Sequence, residues 1–184
     1  MLFTPIWDVP IALYLFLAGL GGGAFITSSI VAWKHPQAVF ARKTGRFIAP
    51  IVVAVGLVLL MFDARAGFMN PLRFALLLHN TGSVMTWGVY FLAIFEVIAL
   101  IVAIMELAHK NVPHWVDLIG SIFGVCVGAY TGCLLGVVKT FPLWNNPVLP
   151  VLFLVSAIST GMASVLIVTL IHDPDQAEEL TSVT

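Results

Sequence analysis

Apolar residues run along this chain in long blocks separated by short polar stretches. An α-helix needs about 20 largely apolar residues to cross a bilayer. Five blocks meet that pattern, at about 10–33, 46–62, 83–107, 115–138 and 148–171. Strands are not expected, because alternation with a period of two is absent and the blocks are too long for membrane-barrel strands. The pattern predicts an all-α integral membrane protein, a five-transmembrane-helix bundle over residues 1–171, followed by an acidic tail at 172–184 that reads as soluble and loosely ordered. Pro10, Pro50, Pro113 and Pro147 sit near predicted helix starts, where a missing N–H costs least. Trp7, Trp33, Trp115 and Trp144 sit near predicted helix ends, as an interfacial aromatic belt requires.

Composition sharpens the class. The 184 residues are 60% hydrophobic and only 9% charged, with a mean hydropathy of +1.07. Soluble domains are about 45–50% apolar and about 25% charged, so a water-soluble globule is excluded. Disorder is excluded too, since it needs low hydrophobicity and high charge. Eight Lys and Arg against nine Asp and Glu leave no basic surface for nucleic acid. The start is not expected to be a cleavable signal peptide: it lacks a basic leading region, carries Asp8, and its first apolar block is too long.

Charge in the short loops predicts orientation. Lys34, Arg42, Lys43, Arg46 and Lys110 fall on one side, Arg65, Arg73 and Lys139 on the other. The more basic side is placed inside, with the N-terminus outside and the acidic tail cytoplasmic.

The outer side then collects most of the chemistry. The start of helix 1 (Trp7, Asp8, Tyr14) is expected to meet the end of helix 2 (Asp63, Arg65), the start of helix 3 (His79, Asn80, Ser83) and the end of helix 4 (Tyr130, Lys139). Tyr14 lies about 6 Å inside Pro10, and Tyr130 about 12 Å inside Val138. Two shallow phenols beside a carboxylate can hold a quinone carbonyl and handle its protons. Interfacial anchoring by the tyrosines and an Asp63–Arg65 pair explain the same residues without a ligand. Glu96 falls near the middle of helix 3, where a charge costs about 2.5–3.5 kcal/mol on insertion scales. It is a candidate proton-transfer carboxylate, or else a neutral acid hydrogen-bonded to a neighbouring helix.

Helix 4 places glycine at every fourth position (Gly120, Gly124, Gly128, Gly132, Gly136), and helix 1 offers Gly19, Gly21, Gly22 and Gly23. These are surfaces for close helix packing. Cys126 and Cys133 would lie about 10 Å apart on one helix face, too far for a disulfide, and are expected to be buried reduced thiols. With no Cys-x-x-Cys motif, the chain is not expected to hold an iron–sulfur cluster. His35, His79, His109, His114 and His172 all fall in loops or at helix ends. A haem anchor needs histidines within the membrane on facing helices, so neither haem nor a metal site is expected.

Several stretches together resemble the NrfD/polysulfide reductase membrane-subunit family: WDVPIALYLFLAGLGGG (Trp7–Gly23), PLRF (Pro71–Phe74), SVMTWG (Ser83–Gly88), AYTG (Ala129–Gly132) and PLWNNPVLPVLFLVSAIST (Pro142–Thr160). The resemblance implies a haem-free, multi-pass subunit in a prokaryotic cytoplasmic membrane that exchanges electrons with menaquinone or ubiquinone. It is not catalytic alone. Its implied partners are a 4Fe-4S ferredoxin-like subunit and a molybdopterin or other catalytic subunit. By motif position Tyr130 corresponds to the family's quinone-contacting tyrosine, and Asp63 falls where a proton-handling carboxylate is found. Tyr14 stands where polysulfide reductases have histidine; a phenol can donate to a carbonyl but does not titrate near neutral pH. Arg65, Arg73 and Lys139 would hold the partner or orient Asp63. Family members usually have eight or more transmembrane helices, so this chain is either a short form or is completed by another membrane subunit. Two other readings remain: a small proton or solute transporter using Glu96, and a purely structural anchor.

Overall fold

The computed structural model describes residues 9–63, 84–136 and 147–181, all helical apart from turns. We number the helices α1 (Val9–Lys34), α2 (Val39–Asp63), α3 (Val84–Leu107), α4 (His114–Gly136), α5 (Leu149–His172) and α6 (Pro174–Thr181). The first five are each long and apolar enough to cross a membrane. They coincide with the five apolar blocks, with one informative shift.

That shift is at α2, which starts at Val39 rather than near residue 46. Pro36 sets a turn closed by the Ala38 N–H donating to the His35 carbonyl at 3.0 Å, which is where proline favours turn formation. Arg42, Lys43 and Arg46 therefore belong to helix, not loop. Pro50 consequently lies in the interior of α2 rather than near its start. Lacking an N–H, it leaves the Arg46 carbonyl out of the helical ladder. Between α3 and α4 the chain turns through His109, whose φ is 52°. The His109 N–H donates to the Glu106 carbonyl and the Lys110 N–H to the Met105 carbonyl, the paired bonds of a left-handed helix stop.

α1 is the centre of the bundle. Of its apolar stretch 72% is buried, against 17% for α5, and it packs on α2, α4 and α5 while α3 closes the far side against α2 and α4. The glycine run on α1 makes this possible because its members point different ways. A Cβ on Gly21 would strike Val53 of α2, one on Gly22 would crowd the Gly124 backbone of α4, and one on Gly23 would overlap the Ala157 carbonyl of α5. The expected pairing of α1 with the α4 glycines is met at Gly22–Gly124. The other α4 glycines serve different neighbours: Gly120 receives the Phe25 ring, Gly128 packs on Leu154, and Gly132 seats on Pro150. Phe25 also meets Phe95 of α3 edge-on, centroids 5.6 Å apart. Within this apolar setting, hydroxyls return to their own helix: Thr27 donates to the Gly23 carbonyl and Ser28 and Ser29 to that of Phe25, as a lipid environment demands.

Two expectations are revised. The tail is ordered as α6 through Thr181. Asp173 accepts the Gln176 N–H (3.4 Å) and side-chain amide (2.5 Å), a capping arrangement with Pro174 in the first helical position. The Gln176 Oε1 accepts the Phe40 N–H at 3.1 Å, satisfying a donor that the start of α2 would otherwise leave unpaired. His172 stacks on Phe40. Of the cysteines, both are free, but Cys126 is half-buried and Cys133 exposed; with α4 on the bundle's outside at that point, Cys133 faces where lipid would be.

Candidate functional site

α1 begins, α2 ends, α3 begins and α4 ends at one end of the bundle, because consecutive helices run antiparallel. Tyr14 on α1 and Tyr130 on α4 approach each other phenol to phenol at this end. Both are buried, at 4% and 7% exposure. Their arrangement leaves the Tyr130 hydroxyl without a well-formed hydrogen bond among the described residues. A buried hydroxyl normally has a partner; the Tyr14 phenol is the polar group that approaches this one, and a phenol O–H can both donate and accept, which leaves capacity for a further polar group. Beneath it, Gly88 of α3 supplies the space the ring occupies: a Cβ there would overlap the Tyr130 ring and hydroxyl. The chain neighbours of the two tyrosines, Leu15 and Thr131, line an apolar cleft of about 250 Å³ between α1, α4 and α5, walled by Phe16 and Phe153.

The remaining expected site residues divide. Asp63 is the last residue of α2, and only its backbone position is described. It lies seven residues, about 10 Å of helix, beyond Gly56, which abuts the Tyr14 backbone. By backbone position it shares the tyrosines' end of the bundle. Arg65, Arg73 and Lys139 lie outside the described residues. Glu96 is on the buried face of α3 at 9% exposure, and its Oε2 has no hydrogen-bond partner among the described residues. It sits eight residues, about 12 Å, below Gly88.

The opposite end holds a cluster that no motif in the sequence announces. The Arg46 guanidinium donates to Glu106 at 2.5 Å and to Asp117 at 2.7 Å, and Arg42 donates to the other oxygen of Glu106 at 3.1 Å. The Arg46, Glu106 and Asp117 side chains are only 4%, 6% and 2% exposed, while Arg42 is 24% exposed. Two cations balance two carboxylates, so α2, α3 and α4 are tied together without net charge. Glu106 and Asp117 both fall inside predicted helices, which is the available signal. Hydropathy assigns Arg42 and Arg46 to a loop because it starts α2 too late. Among the described residues, no group of three His, Cys, Asp or Glu could hold a metal ion, and His35, His109, His114 and His172 all lie at or beyond helix ends.

A buried phenol pair toward one end, an ion cluster toward the other and five long apolar helices define a multi-pass membrane protein. The model of the family described as polysulphide reductase, NrfD, matches residues 3–183, and the chain belongs to that family. It is 35% identical to a polypeptide of the polysulfide reductase of Wolinella succinogenes, over 91% of this chain and 59% of that protein. It is 31% identical to protein NrfD of Escherichia coli over 88% of this chain and 59% of that one. With a subunit of the selenate reductase of Mesobacillus selenatarsenatis the identity is 26%, covering 87% and 47%. The chain thus spans about 59% of the length of the first two relatives.

Proposed function

We propose that this chain is the haem-free, quinone-interacting membrane subunit of a respiratory oxidoreductase complex in a prokaryotic cytoplasmic membrane, with the Tyr14–Tyr130 end facing outward and α6 in the cytoplasm. The single observation that carries the reading is the Tyr130 hydroxyl, buried beside a second buried phenol and without a well-formed hydrogen bond among the described residues. The names of the relatives, which are parts of polysulfide and selenate reductases, support the assignment to a reductase complex.

The residues present suit a quinone or quinol oxygen. The Tyr130 O–H can donate to a carbonyl or accept from a hydroxyl, an interaction worth about 0.5–1.5 kcal/mol net. Tyr14 holds the phenol in place from α1 and offers a second donor to the same or the other oxygen. The apolar cleft lined by their chain neighbours Leu15 and Thr131 suits an apolar quinone tail. When bound, menaquinone or ubiquinone supplies the two-electron, two-proton chemistry. Asp63, at the same end, takes or gives protons through water. Glu96, deeper on α3, is the second proton-handling group. Arg65, Arg73 and Lys139 hold the partner surface or orient Asp63. Electrons pass to a 4Fe-4S ferredoxin-like subunit and on to a molybdopterin or other catalytic subunit, and another membrane subunit is a further candidate partner.

The test is Tyr130→Phe in the assembled complex. Quinol-coupled turnover falls by about two- to twelvefold, the range one hydrogen bond supplies, while the complex still assembles. Unchanged quinol kinetics would remove Tyr130 from the site. A small proton or solute transporter is the second reading, favoured by the Glu96 oxygen that has no hydrogen-bond partner among the described residues; it requires transport by the chain in vesicles without any redox partner.

A further inference from the structure

Two of the short motifs in the chain meet in space: TWG on α3 (Thr86–Gly88) and AYTG on α4 (Ala129–Gly132). Their junction is Gly88 against Tyr130. The nearest atoms to a Cβ at Gly88 are three atoms of the Tyr130 phenol, Cζ, Cε1 and the hydroxyl oxygen. All three of these nearest atoms belong to the one ring, so the space that glycine leaves open is filled first by the phenol. One turn along α3, Phe91 instead meets Phe123 of α4 through side chains, at 6.4 Å between centroids. The phenol therefore lies in a notch cut into α3, with Cζ the atom closest to the missing side chain and the Tyr14 phenol beside it.

Position is what a single hydrogen bond depends on. Donor and acceptor must lie within about 2.5–3.0 Å and near linearity, and the interaction fades steeply outside those limits. Adding one methyl at Gly88 would overlap the ring outright, so the ring must rotate or the helix withdraw. Either moves the hydroxyl by more than that tolerance. We propose that Gly88 is a positioning residue for the quinone site: its missing side chain forms the notch that sets where the Tyr130 hydroxyl points. This rests on the proposed role of Tyr130, which Gly88 serves without touching the ligand itself.

The test uses the full chain purified in mild detergent and titrated with 2-heptyl-4-hydroxyquinoline N-oxide, a fluorescent quinol analogue. Tyr130→Phe weakens binding by about two- to twelvefold, and Gly88→Ala weakens it at least as much. In a Tyr130→Ala background the ring is gone, so Gly88→Ala has no further effect on the affinity of the folded protein. That non-additivity separates positioning from general loosening of the bundle, which would lower stability equally in both backgrounds. If Gly88→Ala does not assemble, the double variant Gly88→Ala/Tyr130→Ala does, because the three atoms nearest the added methyl have gone with the ring. A double variant that fails to assemble overturns the proposal, as does Gly88→Ala with unaltered affinity. If Tyr130→Phe weakens binding and Gly88→Ala does not, the notch is mere packing and the quinone reading stands. If Tyr130→Phe itself binds normally, both fall together.

Discussion

Arg46→Gln is the sharpest perturbation of the fold. The substitution keeps length and some hydrogen-bonding capacity but removes the positive charge that Glu106 and Asp117 share. Asp117 then loses its charged partner inside a site where its side chain is 2% exposed; Glu106 keeps Arg42 alone. Charge-assisted hydrogen bonds contribute about 1.5–3 kcal/mol each, so two of them set about 3–6 kcal/mol. Breaking a buried pair from one side typically costs about 3–5 kcal/mol, and the two figures agree. Arg42→Gln is the internal control. Arg42 is partly exposed and makes one of these bonds at 3.1 Å, so solvent screening brings its cost near that of surface pairs, about 0–1 kcal/mol. The assay is unfolding of the full chain in mild-detergent micelles titrated with sodium dodecyl sulfate, followed by circular dichroism. A third variant, Arg42→Gln/Arg46→Leu/Glu106→Leu/Asp117→Leu, removes all four charges of the cluster and should recover most of the loss, since apolar replacement of a whole buried ion cluster is often neutral. Equal midpoints for Arg46→Gln and Arg42→Gln would refute the reasoning. So would a quadruple variant as unstable as Arg46→Gln.

Three further outcomes follow from the same geometry. Gly23→Ala drives a methyl into the Ala157 carbonyl of α5; neither backbone can yield cheaply, so the variant loses about 1–3 kcal/mol in the same titration, and wild-type stability would mean α1 and α5 are not in contact there. Glu96→Gln preserves shape but cannot carry a proton, so quinol turnover in the complex falls while quinol-analogue affinity stays; unchanged turnover would remove Glu96 from proton handling. Cys133 is exposed and Cys126 half-buried, so N-ethylmaleimide, which partitions into micelles, modifies Cys133 first by peptide mass spectrometry, and preferential modification of Cys126 would contradict the orientation of α4.

The sequence by itself determined the class and the five long apolar helices found among the described residues. Long apolar blocks have one stable solution in lipid, because each backbone N–H and C=O must be satisfied within its own segment. The family resemblance was equally legible, since it is carried by contiguous stretches such as Trp7–Gly23 and Ala129–Gly132. What one-dimensional pattern could not reach were the places where helices distant in sequence share space. Hydropathy counts Arg42 and Arg46 as polar and delays the start of the helix to about residue 46, where α2 in fact begins at Val39. Only the packed bundle shows that Glu106 and Asp117, 60 and 71 positions away from Arg46, neutralise it from two other helices. The tail read as loosely ordered, and the contact that ties α6 down, the Phe40 N–H donating to Gln176 136 positions away, is not visible in one dimension. Gly88 reads as one small residue among fifteen glycines. It becomes a shaping element of the candidate site only because α3 and α4 set it beneath Tyr130, and shape complementarity between two helices is written in neither of them alone.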